Sequence, residues 1–73
     1  MWRYDSPIGV FFIKKLDNGQ YGLIYRYILL ESSASPENLA DNVHAHCTGC
    51  YAWDALDGMV RDVPSRLAEW NHF

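Results

Sequence analysis

Ile8-Gly9-Val10-Phe11-Phe12-Ile13-Lys14-Lys15-Leu16-Asp17-Asn18-Gly19-Gln20-Tyr21-Gly22-Leu23-Ile24-Tyr25-Arg26-Tyr27-Ile28-Leu29-Leu30-Glu31, residues 8–31, decides the fold. Its first third is β-branched and aromatic, the composition of a strand. Alternation puts Ile8, Val10 and Phe12 on one face and Gly9, Phe11, Ile13 and Lys15 on the other. Both faces are apolar at the centre, so each needs a cover. Asn18-Gly19 offers two residues that tolerate positive φ, which predicts a hairpin with a type I′ turn. The second strand is expected over Tyr21 to Glu31, and its eleven residues exceed the usual strand of about five or six. The spacing therefore predicts a bend or bulge near Arg26, or a turn there that makes two strands. On an unbroken strand Tyr21, Leu23, Tyr25, Tyr27 and Leu29 share one face, opposite Ile24, Arg26, Ile28 and Leu30. A helix on the second face would leave the Tyr21–Tyr25 row open to a partner.

Upstream, Trp2-Arg3-Tyr4 reads as a short strand or a packed arm ahead of a Pro7–Gly9 turn. Downstream, Ser35-Pro36-Glu37 is a helix start: a hydroxyl to cap, a proline tolerated at the first helical position, and a carboxylate at the positive helix end. Leu39, Ala40, Val43, His46/Cys47 and Cys50 recur at helical spacing, and Gly49 supplies a left-handed stop. The expected helix runs over about 36–48 and lays its Leu39–Val43–Cys47 stripe on the sheet. Tyr51 to Leu56 fits a strand or a helical turn, Asp57-Gly58 a turn, and Asp62 to Trp70 one or two helical turns. The expected fold is α+β: an antiparallel β-hairpin of two or three strands, one α-helix packed across it, and an aromatic C-terminal segment wrapping the core, all in a single domain over 1–73.

A chain of 73 residues has a core that contributes only ~3–5 kcal/mol, and its eleven aromatic residues answer that shortage, since each buries roughly 150–250 Å². Charge is divided unevenly. Residues 1–30 carry Arg3, Lys14, Lys15 and Arg26 against Asp5 and Asp17, and residues 31–73 carry seven carboxylates against Arg61 and Arg66. The second half is an acidic surface. It argues against direct nucleic-acid binding, which needs cationic patches, and suits a basic protein partner. The opening residues predict no export signal, no apolar run reaches a membrane span, and two cysteines without an export signal favour the cytoplasm.

Residues 44–54, His-Ala-His-Cys-Thr-Gly-Cys-Tyr-Ala-Trp-Asp, hold both cysteines and two of the three histidines. Cys47-Thr48-Gly49-Cys50 at the end of the expected helix is poorly placed for redox work, because the carbonyl pole disfavours a thiolate. Cys47 and Cys50 have zinc-ligand spacing, but no second pair of ligands exists to close a site. His44 and Cys47 could meet as a base and a thiol, yet a chain this short leaves little room for a substrate pocket. The segment is expected to act as a joint with no catalytic residue, no metal and no cofactor. A zinc-stapled domain using Cys47 and Cys50 and a thiol or redox protein stand as alternatives. Aromatic and acidic residues beyond the joint form the expected contact set: Tyr51, Trp53, Asp54, Asp57, Glu69 and Trp70.

The pattern Trp2, Tyr4, Pro7-Ile8-Gly9, Ser35-Pro36-Glu37, Ala40-Asp41, Val43, His46, Thr48-Gly49-Cys50, Trp53-Asp54, Leu67 and Trp70 resembles a small uncharacterised bacterial or mobile-element domain family across nearly the whole chain. In size and charge, though not in motif, the chain is also similar to phage-encoded inhibitors of bacterial defence of the anti-CRISPR kind. The family carries no activity to transfer; the acidic, aromatic C-terminal half leads to the expected function, a non-catalytic protein-binding module that docks on a basic partner, as an inhibitor of a nucleic-acid-handling complex would.

Overall fold

The computed structural model describes residues 1–60 and 62–73. Strands β1 (Trp2–Ser6), β2 (Gly9–Lys15), β3 (Tyr21–Tyr25) and β4 (Ile28–Ser33) follow one another as a meander. Helix α1 (Pro36–His44), a short helix α2 (Tyr51–Asp54), a 3-10 turn (Leu67–Glu69) and strand β5 (Asn71–His72) complete the chain. The architecture is α+β, with five strands in one antiparallel sheet of order β4-β3-β2-β1-β5. Trp2-Arg3-Tyr4 is therefore a strand, and β5 closes its outer edge.

The turns differ from expectation in an instructive way. The β2–β3 hairpin sits at Asp17-Asn18-Gly19, but of these residues only Gly19 has positive φ, at 83°. Leu16 N donates to Gln20 O at 2.7 Å and Gly19 N to Leu16 O at 3.1 Å. Asn18 Oδ1 accepts from Gln20 N at 3.0 Å. The loop is thus a three-residue connection ending in a left-handed glycine, not a type I′ turn. The two consecutive positive-φ residues occur instead at Arg26 (50°) and Tyr27 (66°), between Tyr25 and its partner Ile28. This turn splits the expected 21–31 strand into β3 and β4. A bulge follows: Leu23 faces Glu31 and Ile24 faces Leu29, which leaves Leu30 as the extra residue.

Turn and bulge together set which face is covered. Leu23 and Tyr25 look toward α1 and are buried with Phe11 and Ile13 of β2. The helix lies on the Tyr21–Tyr25 row, so that row faces the core and the opposite face is the open one. Leu39, Ala40 and Val43 of α1 meet the row and are all fully buried. Glu31 accepts from Asn42 Nδ2 at 2.9 Å, which ties β4 to the helix. The helix starts as its sequence dictates: Ser35 Oγ accepts from Asn38 N at 3.3 Å, with Pro36 in the first turn.

The helix ends before Gly49. Ala45 closes it, His46 takes the left-handed conformation at φ 55°, His46 N donates to Val43 O (3.1 Å) and Cys47 N to Asn42 O (2.9 Å). This is the paired bonding of a Schellman motif, with histidine where glycine is usual. An aromatic cluster fills the space below. Trp53 is fully buried, its ring 5.2 Å from Phe11 and 6.1 Å from Tyr4, both edge-on. Trp70 packs 5.6 Å from Tyr4.

Candidate functional site: the joint and the open sheet face

The joint at 44–58 is held by Asp54. Its carboxylate accepts from Thr48 N (3.0 and 3.2 Å), Thr48 Oγ1 (2.9 Å) and Gly49 N (3.0 Å). Thr48 Oγ1 in turn accepts from Cys50 N at 3.1 Å. Charge-assisted bonds of this kind are about twice as strong as neutral ones, so three donors, with the Thr48 N–H shared between both carboxylate oxygens, fix the loop between the helices. His46 stacks on Trp53 at 4.4 Å, with Nδ1 3.9 Å from Asp57 Oδ1 and a buried Nε2 that meets no partner. Trp53 Nε1 donates to Val43 O at 2.9 Å, so the ring clamps the end of α1.

The six residues expected to form one contact set separate into three kinds. Trp53 and Trp70 are core residues. Asp54 and Glu69 bind their own backbone: Glu69 Oε1 accepts from Ser65 N and Ser65 Oγ (both 2.8 Å) and from Arg66 N (3.1 Å). The Ser65 hydroxyl first, then the Ser65 and Arg66 amides, hold the Glu69 carboxyl below the usual carboxylate range. Tyr51 and Asp57 alone are exposed without bracing the backbone, Tyr51 at 86% exposure and Asp57 beside His46 Nδ1 at 3.9 Å. The cysteines are free thiols, Cys47 exposed and Cys50 half-buried at the cap of α2 rather than at the end of α1. Among the described residues no three His, Cys, Asp or Glu side chains gather into a group that could hold a metal ion, and no helix is long and apolar enough to cross a membrane.

The other surface is the sheet face turned away from α1. Its floor is Val10, Phe12 and Ile24, half-buried by their strand neighbours, with Leu29 53% exposed beside them. Leu29 and Leu16 close over Gly22: a Cβ there would lie 2.7 Å from Leu29 Cδ1 and 3.0 Å from Leu16 Cδ2. Only glycine lets those leucines lie flat on the backbone. A concavity of about 590 Å³ opens over the floor, bounded by Met1, Lys14, Arg26 and Tyr27. Tyr27 stands wholly in solvent at the tip of the β3–β4 turn. Arg26 reaches back, donating to Ile8 O at 3.2 Å with its guanidinium 5.3 Å from the Tyr25 ring. Arg3, over Phe12 at 5.9 Å, is paired with Asp5 at 2.9 Å.

Sequence reasoning found the need for this face without finding its residues. The apolar content of both sides of β2 was the signal. The parity of Leu29 was hidden by a turn with neither glycine nor asparagine, which places it beside Ile24. No protein-family model, curated protein or solved structure matches the chain.

Proposed function

We propose that this chain is a non-catalytic protein-binding module that docks through the open face of its sheet. One observation carries the reading: a two-sided apolar sheet has a helix on one side and, among the described residues, no element packed on the other. Phe11 and Ile13 are fully buried, whereas Val10 and Phe12, the alternate residues of the same strand, remain partly in water. Contiguous apolar surface of this kind marks interaction sites. The Arg26–Tyr27 turn supports the same reading, because it holds a bulky aromatic at positive φ with its whole side chain in solvent. Such outliers cost about 1–3 kcal/mol and cluster at functional positions.

A second reading keeps the acidic side as the surface that meets a basic partner, in the manner of an inhibitor of a nucleic-acid-handling complex. Its support is Tyr51, exposed at the start of α2, with Asp57 and Asp62 exposed further along the chain. Reversal of Asp57 to Lys tests it with least risk to the fold, since Asp54 braces the joint; binding should fall with that change and with salt.

Site-specific photo-crosslinking in the native cells separates the two. A photoreactive residue at position 27 should give discrete protein adducts, and one at position 51 should not. Adducts from position 51 alone favour the acidic side. Adducts from neither position defeat both.

A further inference from the structure

We infer that the occupant of the open sheet face is an acidic amphipathic helix of another protein. The inference rests on the docking reading above and adds its partner chemistry. Charge decides the sign. The open-face row of β1 and β2 holds Arg3, Asp5 and Lys14, and Arg26 lies at the end of β3. Arg3 is neutralised by Asp5, whereas among the described residues neither Lys14 nor Arg26 has a carboxylate within ion-pair distance. An apolar floor with two cations on its margin, Lys14 and the Arg26 guanidinium held by Ile8 O and the Tyr25 ring, selects apolar residues flanked by carboxylates. A second copy laid face to face would bring Lys14 and Arg26 against their own kind, which disfavours it. Nucleic acid is disfavoured too, since Val10, Ile24 and Leu29 are aliphatic and the floor offers Phe12 alone for base stacking.

The form of the partner follows from the edges. Strand addition needs a regular free edge. The β4 edge is interrupted by the Leu30 bulge, and the β5 edge is two residues long. Covering the face therefore falls to a helix, the element that already covers the other side. Lys14 stands opposite Gly22, and Arg26 comes four residues later along the chain. That separation is roughly 13 Å at ~3.3 Å per residue, which a helix rising ~1.5 Å per residue spans in about nine residues. The partner helix should carry carboxylates about nine positions apart, beside an apolar stripe.

The test is selection from a displayed library of random peptides of about 16 residues, long enough for roughly four helical turns. Expected are recovered sequences with net negative charge and that spacing, whose affinity falls at least about tenfold with Lys14→Glu and with Arg26→Glu. Lys15→Glu, on the exposed end of the same strand but the opposite face, should leave affinity unchanged, and thermal melts confirm that each variant is folded. Neutral or basic sequences, affinity indifferent to Lys14→Glu, no peptide above background, or displacement by an oligo-dT of about 15 nucleotides would each overturn the inference. Crosslinks from position 27 with neutral library peptides would leave the docking surface standing and remove its charge preference. Absence of those crosslinks removes the surface itself.

Discussion

Tyr27→Gly should make the protein more stable. Tyr27 sits at φ 66°, a conformation that costs an L-residue about 1–2 kcal/mol and costs glycine nothing. The side chain is fully exposed, so its removal opens no cavity and breaks no packing. Against the gain stands the greater freedom of glycine in the unfolded chain, roughly 0.5–1 kcal/mol. The balance is a stabilisation of about 0.5–1 kcal/mol, and at ~4–8 °C per kcal/mol for a domain of this size the melting temperature should rise by about 2–8 °C. Thermal unfolding by circular dichroism and urea titration measure it, with a higher urea midpoint at unchanged slope. Tyr27→Ala is the control: it keeps the positive φ and should gain nothing. A Tyr27→Gly protein that melts at or below the wild-type temperature would refute the strain argument. The same substitution should weaken docking, and improved stability with impaired binding is the pattern of a strained functional residue.

Asp54→Ala should lower stability by about 2–3 kcal/mol in urea titration, because it leaves the Thr48 and Gly49 amides without their acceptor; Asp54→Asn, which keeps an acceptor, should cost less. Glu69, whose carboxyl is held below its ordinary value by Ser65 and Arg66, stabilises the fold above the unfolded-state carboxylate pKa. That contribution disappears as pH falls through the lower folded value, so Glu69→Gln should flatten the acid limb of the stability–pH curve. Tyr4 is pushed upward by burial and then by the Asp62 charge; its contribution is present below the ordinary tyrosine range and is lost as pH rises. Ultraviolet titration of the phenols should show one tyrosine ionising late, and Tyr4→Phe should remove that step.

Much of the fold could be read from local chemistry. The strand character of β2, the hairpin at Asp17–Gly19 and the Ser35-Pro36 helix start all depend on residues acting within a few positions of themselves, and each is where the sequence puts it. Features that depend on tertiary contacts were harder to read. Arg26 and Tyr27 carry no turn signature; the pairing of Tyr25 with Ile28 on either side holds them at positive φ. His46 ends α1 three residues before the glycine that local rules select, and the stack on Trp53 holds it there. The aromatic residues Trp53 and Trp70 signal a core and an interface equally well from sequence, and only the packing of Tyr4 and Phe11 around them decides for the core. The open face escaped for a related reason: the Arg26–Tyr27 turn puts Leu29 beside Ile24, on the face opposite the one an unbroken strand would give it, and the Leu30 bulge restores the original parity only from Glu31 on.

The pairing of β5 with β1 bears on how the protein is made. Strand β1 is synthesised before the other four strands, and the outer edge of its Trp2 and Arg3 waits for Asn71 and His72. Translation at ~5–20 residues per second places roughly 3–13 s between the end of β1 and its final partner. During that interval β1 to β4 can already form by neighbouring hairpins, and the nascent sheet presents the Trp2–Arg3 backbone, the stretch that β5 later pairs, as an unprotected edge. Exposed edges of this sort recruit other strands. Arg3 and Asp5, charged side chains on that strand, are the devices natural sheets use to discourage such pairing. Asn71 and His72 thus act as a latch on synthesis: until they arrive, the Trp2–Arg3 edge is open to neighbours on the same message.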